Sequence, residues 1–86
     1  MPLYFSAHTT ACLTKQAIRE LMGSLLQSKP VKVRRSVASQ LAGRMVLETE
    51  SPDQPTLEKW FEERRLNCQW VMRIDLAGDA NGVTEF

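Results

Sequence analysis

The chain has few of the residues on which small stapled or metal-bound domains depend. Its 86 residues include two cysteines and one histidine. A disulfide scaffold of this size needs more cysteines, and the spacing of Cys12 and Cys68 fits no zinc pattern. We therefore expect two reduced thiols and neither a metal nor another cofactor.

Long apolar runs and an excess of one charge are also missing. No apolar run approaches the about 20 residues that a membrane helix needs, and the start lacks the basic and apolar regions of a signal peptide. The formal net charge is +1, which gives no bulk electrostatic reason for a nucleic-acid or membrane partner. These absences favour a cytoplasmic protein.

The familiar catalytic loops are absent as well. The four glycines form no glycine-rich phosphate loop, and there is no Cys-x-x-Cys motif. The loop from His8 to Thr14 has no arginine of the acylphosphatase type. One histidine does not complete a recognisable Ser-His-Asp arrangement.

What the chain does have is six periodic segments in a fixed order. Alternating apolar residues predict strands at 3–9, 31–39, 44–50 and 69–76. Apolar residues at three-four spacing predict one helix that begins after its N-cap Thr14. They predict a second helix from the break at Ser51–Pro55 to about Leu66. Gly23 lies inside the first helix, where we expect a close approach to the sheet. Residues 1–76 then form a single domain, and 77–86 have the composition of a flexible tail.

This order predicts a ferredoxin-like βαββαβ fold of the α+β class. Such a fold is a four-stranded antiparallel sheet with two helices on one face. Right-handed crossovers place the first and third strands side by side at the centre, where we expect the one parallel pair.

The alternation also predicts which face each side chain occupies. The rows that fit beneath the helices are Leu3/Phe5/Ala7, Val31/Val33/Val37, Met45/Leu47/Thr49 and Trp70/Met72/Ile74. The open face would then carry the polar set Tyr4, Ser6, His8, Lys32, Arg34, Glu48, Glu50 and Arg73, and any function is to be sought there.

The candidates on that face have two interpretations each. His8 beside Glu48 or Glu50 could act as a general base, or it could be a surface histidine in a cross-strand contact. The basic stretch 29–35 could bind phosphate, or its cations could protect an edge strand from aggregation. Trp70 could lie at a pocket lip or in a subunit contact.

The stretch Leu41–Asp53, followed by Leu57 and Trp60, resembles the dimeric α/β-barrel superfamily. Residues 3–9 are similar to the first strand of its muconolactone-isomerase-like members and of its small nickel-binding proteins. The resemblance implies that two copies pack their open faces together, with His8, Tyr4 and the Glu48/Glu50 pair inside the barrel or at its mouth.

Three functions remain open at this point. The first is a homodimer that binds a small polar or anionic ligand, with Lys32, Arg34 and Arg73 supplying charge and Tyr4 and His8 orienting the ligand. Ser6 and Glu50 are further ligand-binding candidates on the same face. The second is a cofactor-independent isomerase or monooxygenase in which His8 moves protons and Glu48 orients it. The third is a protein-interaction module.

Overall fold

A computed structural model describes residues 1–27 and 29–86. Within these residues, two helices and six strands follow one another. In order they are β1 (Leu3–Thr9), α1 (Lys15–Leu25), β2 (Lys32–Ser39), β3 (Arg44–Glu50), α2 (Gln54–Glu63), β4 (Cys68–Ile74), β5 (Leu76–Asp79) and β6 (Gly82–Glu85).

The main sheet has the strand order β2-β3-β1-β4 and every pairing in it is antiparallel. The prediction of a four-stranded antiparallel sheet with two helices is confirmed. The expected parallel pairing of β1 and β3 is wrong. Because the crossover through α1 returns β2 parallel to β1, and the β2–β3 turn then reverses the chain, β3 must run against β1.

Both helices begin at the side chains that the sequence indicates. The backbone N–H of Ala17 donates to Thr14 Oγ1 at 3.1 Å, so Thr14 is the N-cap of α1. The N–H of Thr56 donates to Asp53 Oδ1 at 2.8 Å, which makes Asp53 the N-cap of α2. Ser51 instead donates from its hydroxyl to the Asp53 carbonyl. Each cap satisfies an N–H that the helix itself leaves free.

The core lies between the helices and one face of the sheet. Its buried members are Tyr4, Leu25, Val31, Val33, Met45, Leu47, Leu57, Trp60 and Phe61. The predicted helix-facing row of β3 is confirmed, because Met45, Leu47 and Thr49 are fully buried.

The predicted rows of β1 and β4 are reversed. Tyr4 packs in the core, so Phe5 points to the open face. Val71 packs against the same core, which turns Trp70 and Met72 outward. Successive strand residues alternate between faces, so a one-residue change of phase moves a whole row. Since β1 carries an aromatic residue on each side, its alternation alone does not identify the buried row.

Strand β2 changes phase within its own length. A bulge shifts its register against β3 between Val33 and Arg35. As a result Val33 is buried, whereas Val37 is 47% exposed. The predicted row Val31/Val33/Val37 is therefore divided, because the extra residue at the bulge turns every later side chain to the other face.

Residues 76–85 form a hairpin, whereas the composition of 77–86 predicts a flexible tail. Strands β5 and β6 pair antiparallel from Leu76↔Glu85 to Asp79↔Gly82. The N–H of Asn81 donates to Asp79 Oδ1 at 2.7 Å within the turn. The pairing of Asp79 with Gly82 makes Ala80 and Asn81 the two turn residues. Aspartate and asparagine favour such turns, because their side chains bond to backbone groups nearby.

Two glycines have opposite surroundings. Gly43 has φ +64°, and a Cβ there would lie 3.0 Å from the Ala11 Cα. At Gly23 no described atom lies within 4 Å of an added Cβ. The expected close approach of α1 to the sheet at Gly23 is therefore wrong.

We expect Gly43→Ala to lower the free energy of unfolding by about 2 kcal/mol, because a left-handed residue with a Cβ is strained and the new methyl meets Ala11 backbone. Gly23→Ala should raise it by up to about 1 kcal/mol, because alanine favours the helix and space is available. Urea denaturation of both variants measures the difference. Equal stability of the Gly43→Ala variant and the original chain would contradict the strain.

Candidate functional site

His8 lies beneath α2 and not on the open face. Its side chain is 1% exposed, and its ring centroid is 4.6 Å from that of Phe61 in an edge-to-face contact. Ser6 Oγ lies 2.7 Å from His8 Nε2. Since Ser6 and Tyr4 are buried in the same row, the predicted open-face position of all three residues is wrong.

The burial of His8 has an electrostatic consequence. Desolvation lowers the pKa of His8 to about 4, and the backbone of Asn67 opposes part of this shift. Among the described residues, His8 Nδ1 has no hydrogen-bond partner. A neutral imidazole is therefore the stable form at pH 7, because burial penalises the charged form.

The predicted pair of His8 with a carboxylate is not assembled. In register, His8 lies opposite Met45, whereas Glu48 lies opposite Phe5. Directly paired residues share a face, so the imidazole and the carboxylate point to opposite sides of the sheet. The catalytic roles predicted for His8 and Glu48 lack the contact on which they depend.

The buried serine and histidine also lack access. Ser6 is fully buried and His8 almost so, so a dissolved substrate does not reach their hydrogen bond. Close by along the chain, the Thr10 hydroxyl is another buried group without a partner in the described part of the chain. These are polar groups enclosed in a core, and their burial lowers the free energy of unfolding wherever a hydrogen-bond partner is missing.

The open face has an apolar centre that the predicted rows placed inside. Phe5 lies between Glu48 of β3 and Met72 of β4. The next row runs Val37, Val46, Ala7 and Trp70 across all four strands. Met72 is 51% exposed and Trp70 45% exposed. This apolar row, together with Phe5 and Met72, is called the open-face patch below.

Four of the predicted charged residues remain on this face. Arg34 Nε lies 3.7 Å from Glu48 Oε2, and Lys32 lies opposite Glu50 on the neighbouring strand. Arg73 does not join them. It lies opposite Tyr4 in register, and its guanidinium is 3.7 Å from Asp75.

Arg35 is the site residue that the sequence analysis missed. The bulge aligns it with Glu48 on the open face, and no ion pair of Arg35 is present among residues 1–27 and 29–86. Only the register shift brings it there, and two adjacent arginines in a sequence do not reveal which one a bulge turns to a given face.

Two cavities meet at Arg35. One, of about 290 Å³, is lined by Phe5, Arg35, Val37, Val46 and Glu48. The other, of about 550 Å³, extends from Phe5, Arg35 and Glu48 towards the C-terminal hairpin, where Phe86 lines it. The shared residues combine an apolar floor with a guanidinium and a carboxylate, which is the composition of a site for a small amphipathic ligand.

Other classes of site find little support in the described part of the chain. No group of three or more His, Cys, Asp or Glu residues there is placed to hold a metal ion. Neither of its helices is long and apolar enough to cross a membrane.

No protein-family model, curated protein or solved structure matches this chain.

The burial of His8 predicts a specific pH dependence of stability. Its pKa is about 4 in the folded chain and about 6.5 when unfolded. Between these values the unfolded chain binds more protons, so stability falls as pH drops from 6.5 to 4, by up to about 1.4 kcal/mol per pH unit.

Urea denaturation at a series of pH values tests this expectation, with His8→Asn as the variant that has no titrating group at this position. The stability of His8→Asn should be lower at pH 7 but should change less between pH 6.5 and 5. The interpretation fails if both proteins show the same slope across that interval.

Proposed function

We propose that the chain is a small-molecule-binding protein whose open face takes an anion with an apolar body. The observation that carries the proposal is Arg35, a guanidinium without an ion-pair partner among the described residues, at the junction of two cavities. A planar guanidinium suits a carboxylate because it can donate two parallel hydrogen bonds.

The neighbouring groups support the assignment of the anion to Arg35. Glu48 lies within 3.7 Å of Arg34 and offsets its charge. Phe5 and Val46 line the cavity beside Arg35. A ligand with a carboxylate at one end and a ring or short alkyl chain at the other would satisfy both parts of this site.

We also propose that the working form is a homodimer joined through the open-face patch. Val37 is 47%, Trp70 45% and Met72 51% exposed. A domain of this size leaves much apolar surface uncovered, and contiguous exposed patches mark interaction sites. A second copy would cover the patch with the same residues about a two-fold axis and close the cavity at Arg35.

The finer fold assignment belongs to the same proposal. The order β2-β3-β1-β4, with a helix in each of the two crossovers, supports a ferredoxin-like fold and a relation to the dimeric α/β-barrel superfamily. Both cysteines are free and exposed, which supports the reducing environment of the cytoplasm.

The geometry favours binding over an isomerase or monooxygenase-like activity. That activity was expected from His8 and Glu48 acting together, and these residues lie on opposite faces of the sheet. The open face retains the means to hold an anion but has no histidine to move a proton.

Titration of the isotopically labelled chain with phenylacetate and octanoate tests the binding site. We expect chemical-shift changes at Phe5, Arg35 and Val46, with phenylacetamide binding more weakly. Arg35→Gln should weaken carboxylate binding about tenfold, because it removes the charge-assisted pair. Arg19→Gln, on the opposite side of the sheet, is the control and should have no effect. Equal affinities for the two variants would refute the site.

Sedimentation equilibrium tests the homodimer. We expect a dimer at micromolar concentration and a monomer for Met72→Asp, because a carboxylate in the open-face patch would be desolvated on association. Leu41→Asp replaces another exposed hydrophobic residue outside the patch and should remain dimeric. A monomer at every concentration of the original chain would remove this part of the proposal without affecting the carboxylate titration.

A further inference from the structure

A groove lies on the other side of the sheet from the open face, between α1 and the end of β2. Its volume is about 820 Å³. One wall of the groove is a stripe of side chains on α1. The other wall is the second half of β2 together with the turn that follows it. The lining from α1 is Lys15, Ile18, Arg19, Met22 and Gly23, and Leu26 lines the groove just after the helix.

Gly23 lines this groove without a packing reason to be glycine. No described atom lies within 4 Å of a Cβ placed there, and glycine inside a helix costs about 1 kcal/mol relative to alanine. Any larger side chain at this position would occupy the groove. The glycine therefore keeps the groove open at the expense of helix stability.

The strand edge beside the groove is unprotected. Within the described chain, β2 pairs with β3 alone. Its first half carries Lys32, Arg34 and Arg35 and contains the bulge, both of which discourage pairing with another strand. Its second half, Ser36–Ser39, has no charge, and Ser36, Ala38 and Ser39 line the groove.

The charge of the groove has one sign. Lys15 and Arg19 lie one turn apart on α1 and are both exposed. No aspartate or glutamate is among the described residues that line the groove. Two cations beside an apolar floor complement a partner that carries both acidic and apolar side chains.

We propose that the groove binds an extended acidic peptide segment of another protein, which adds a strand to β2 at Ser36–Ser39. An apolar side chain of the peptide enters the groove over Gly23, and a neighbouring carboxylate pairs with Lys15 and Arg19. An extended peptide is the occupant that uses all three features, because backbone groups satisfy a free strand edge and alternate side chains enter the adjoining groove.

Fluorescence anisotropy with labelled octapeptides that alternate valine or leucine with glutamate or aspartate tests the proposal. We expect saturable binding, and amide shift changes at Gly23 and Ser36–Ser39 of the full chain. Peptides with lysine in place of the acids, or with N-methylated backbone at alternate positions, should bind at least about tenfold more weakly.

Variants of the chain separate the contributions of groove shape and groove charge to peptide binding. Gly23→Leu should weaken binding about tenfold by filling the groove, and the double variant Lys15→Glu, Arg19→Glu should do the same through charge while leaving the groove its shape. Lys59→Glu, on α2, is the matched control and should bind as the original chain does. Thermal melts show that each variant is folded.

Three results would overturn the proposal. The first is no saturable binding by any alternating acidic peptide. The second is equal binding of the N-methylated peptide, which would exclude strand addition. The third is shift changes at Ser36–Ser39 that follow protein concentration without peptide, which would assign the edge to a second copy of this chain. None of these results bears on carboxylate binding at Arg35.

Discussion

The contact between His8 and Phe61 shows which row of β1 lies beneath the helices. Because the imidazole packs edge-on against a ring of α2, Tyr4 and Ser6 of the same row are also covered. The alternate row, with Phe5 at its centre, then faces outward. This one alternation gives the molecule a buried polar row and an apolar outer face, and the open-face patch depends on it.

The sequence predicted the elements of the fold well. The alternation of β3 and the helix caps at Thr14 and Asp53 follow from local rules that tertiary contacts did not override. The faces predicted for β1 and β4 are wrong, because each strand has large apolar residues on both sides. Tyr4 and Phe5 show this for β1. Alternation identifies two rows, but the choice between them depends on long-range packing.

The candidate site was harder to predict for the same reason. Arg34 and Glu48 are both predicted on the open face, and the structure joins them there in an ion pair that the alternation does not predict. His8 was separated from Glu48 by the reversed phase of β1, and Arg35 joined the site through a bulge that leaves no recognisable pattern in the sequence. The C-terminal hairpin was missed because asparagine and glycine occur both in tight turns and in flexible segments.

The bulge in β2 has a consequence for how the chain could change. Before the bulge, the even-numbered residues of β2 face outward, as Lys32 does. After the bulge, the odd-numbered residues face outward, as Val37 does. Deletion of Arg34 would remove the extra residue and restore a regular alternation along β2, and every later side chain would keep its present face. Val37 would stay in the open-face patch and Ala38 in the groove. One codon lost at the bulge would therefore leave both surfaces in place, whereas one codon lost after it would turn the side chains that follow to the opposite face.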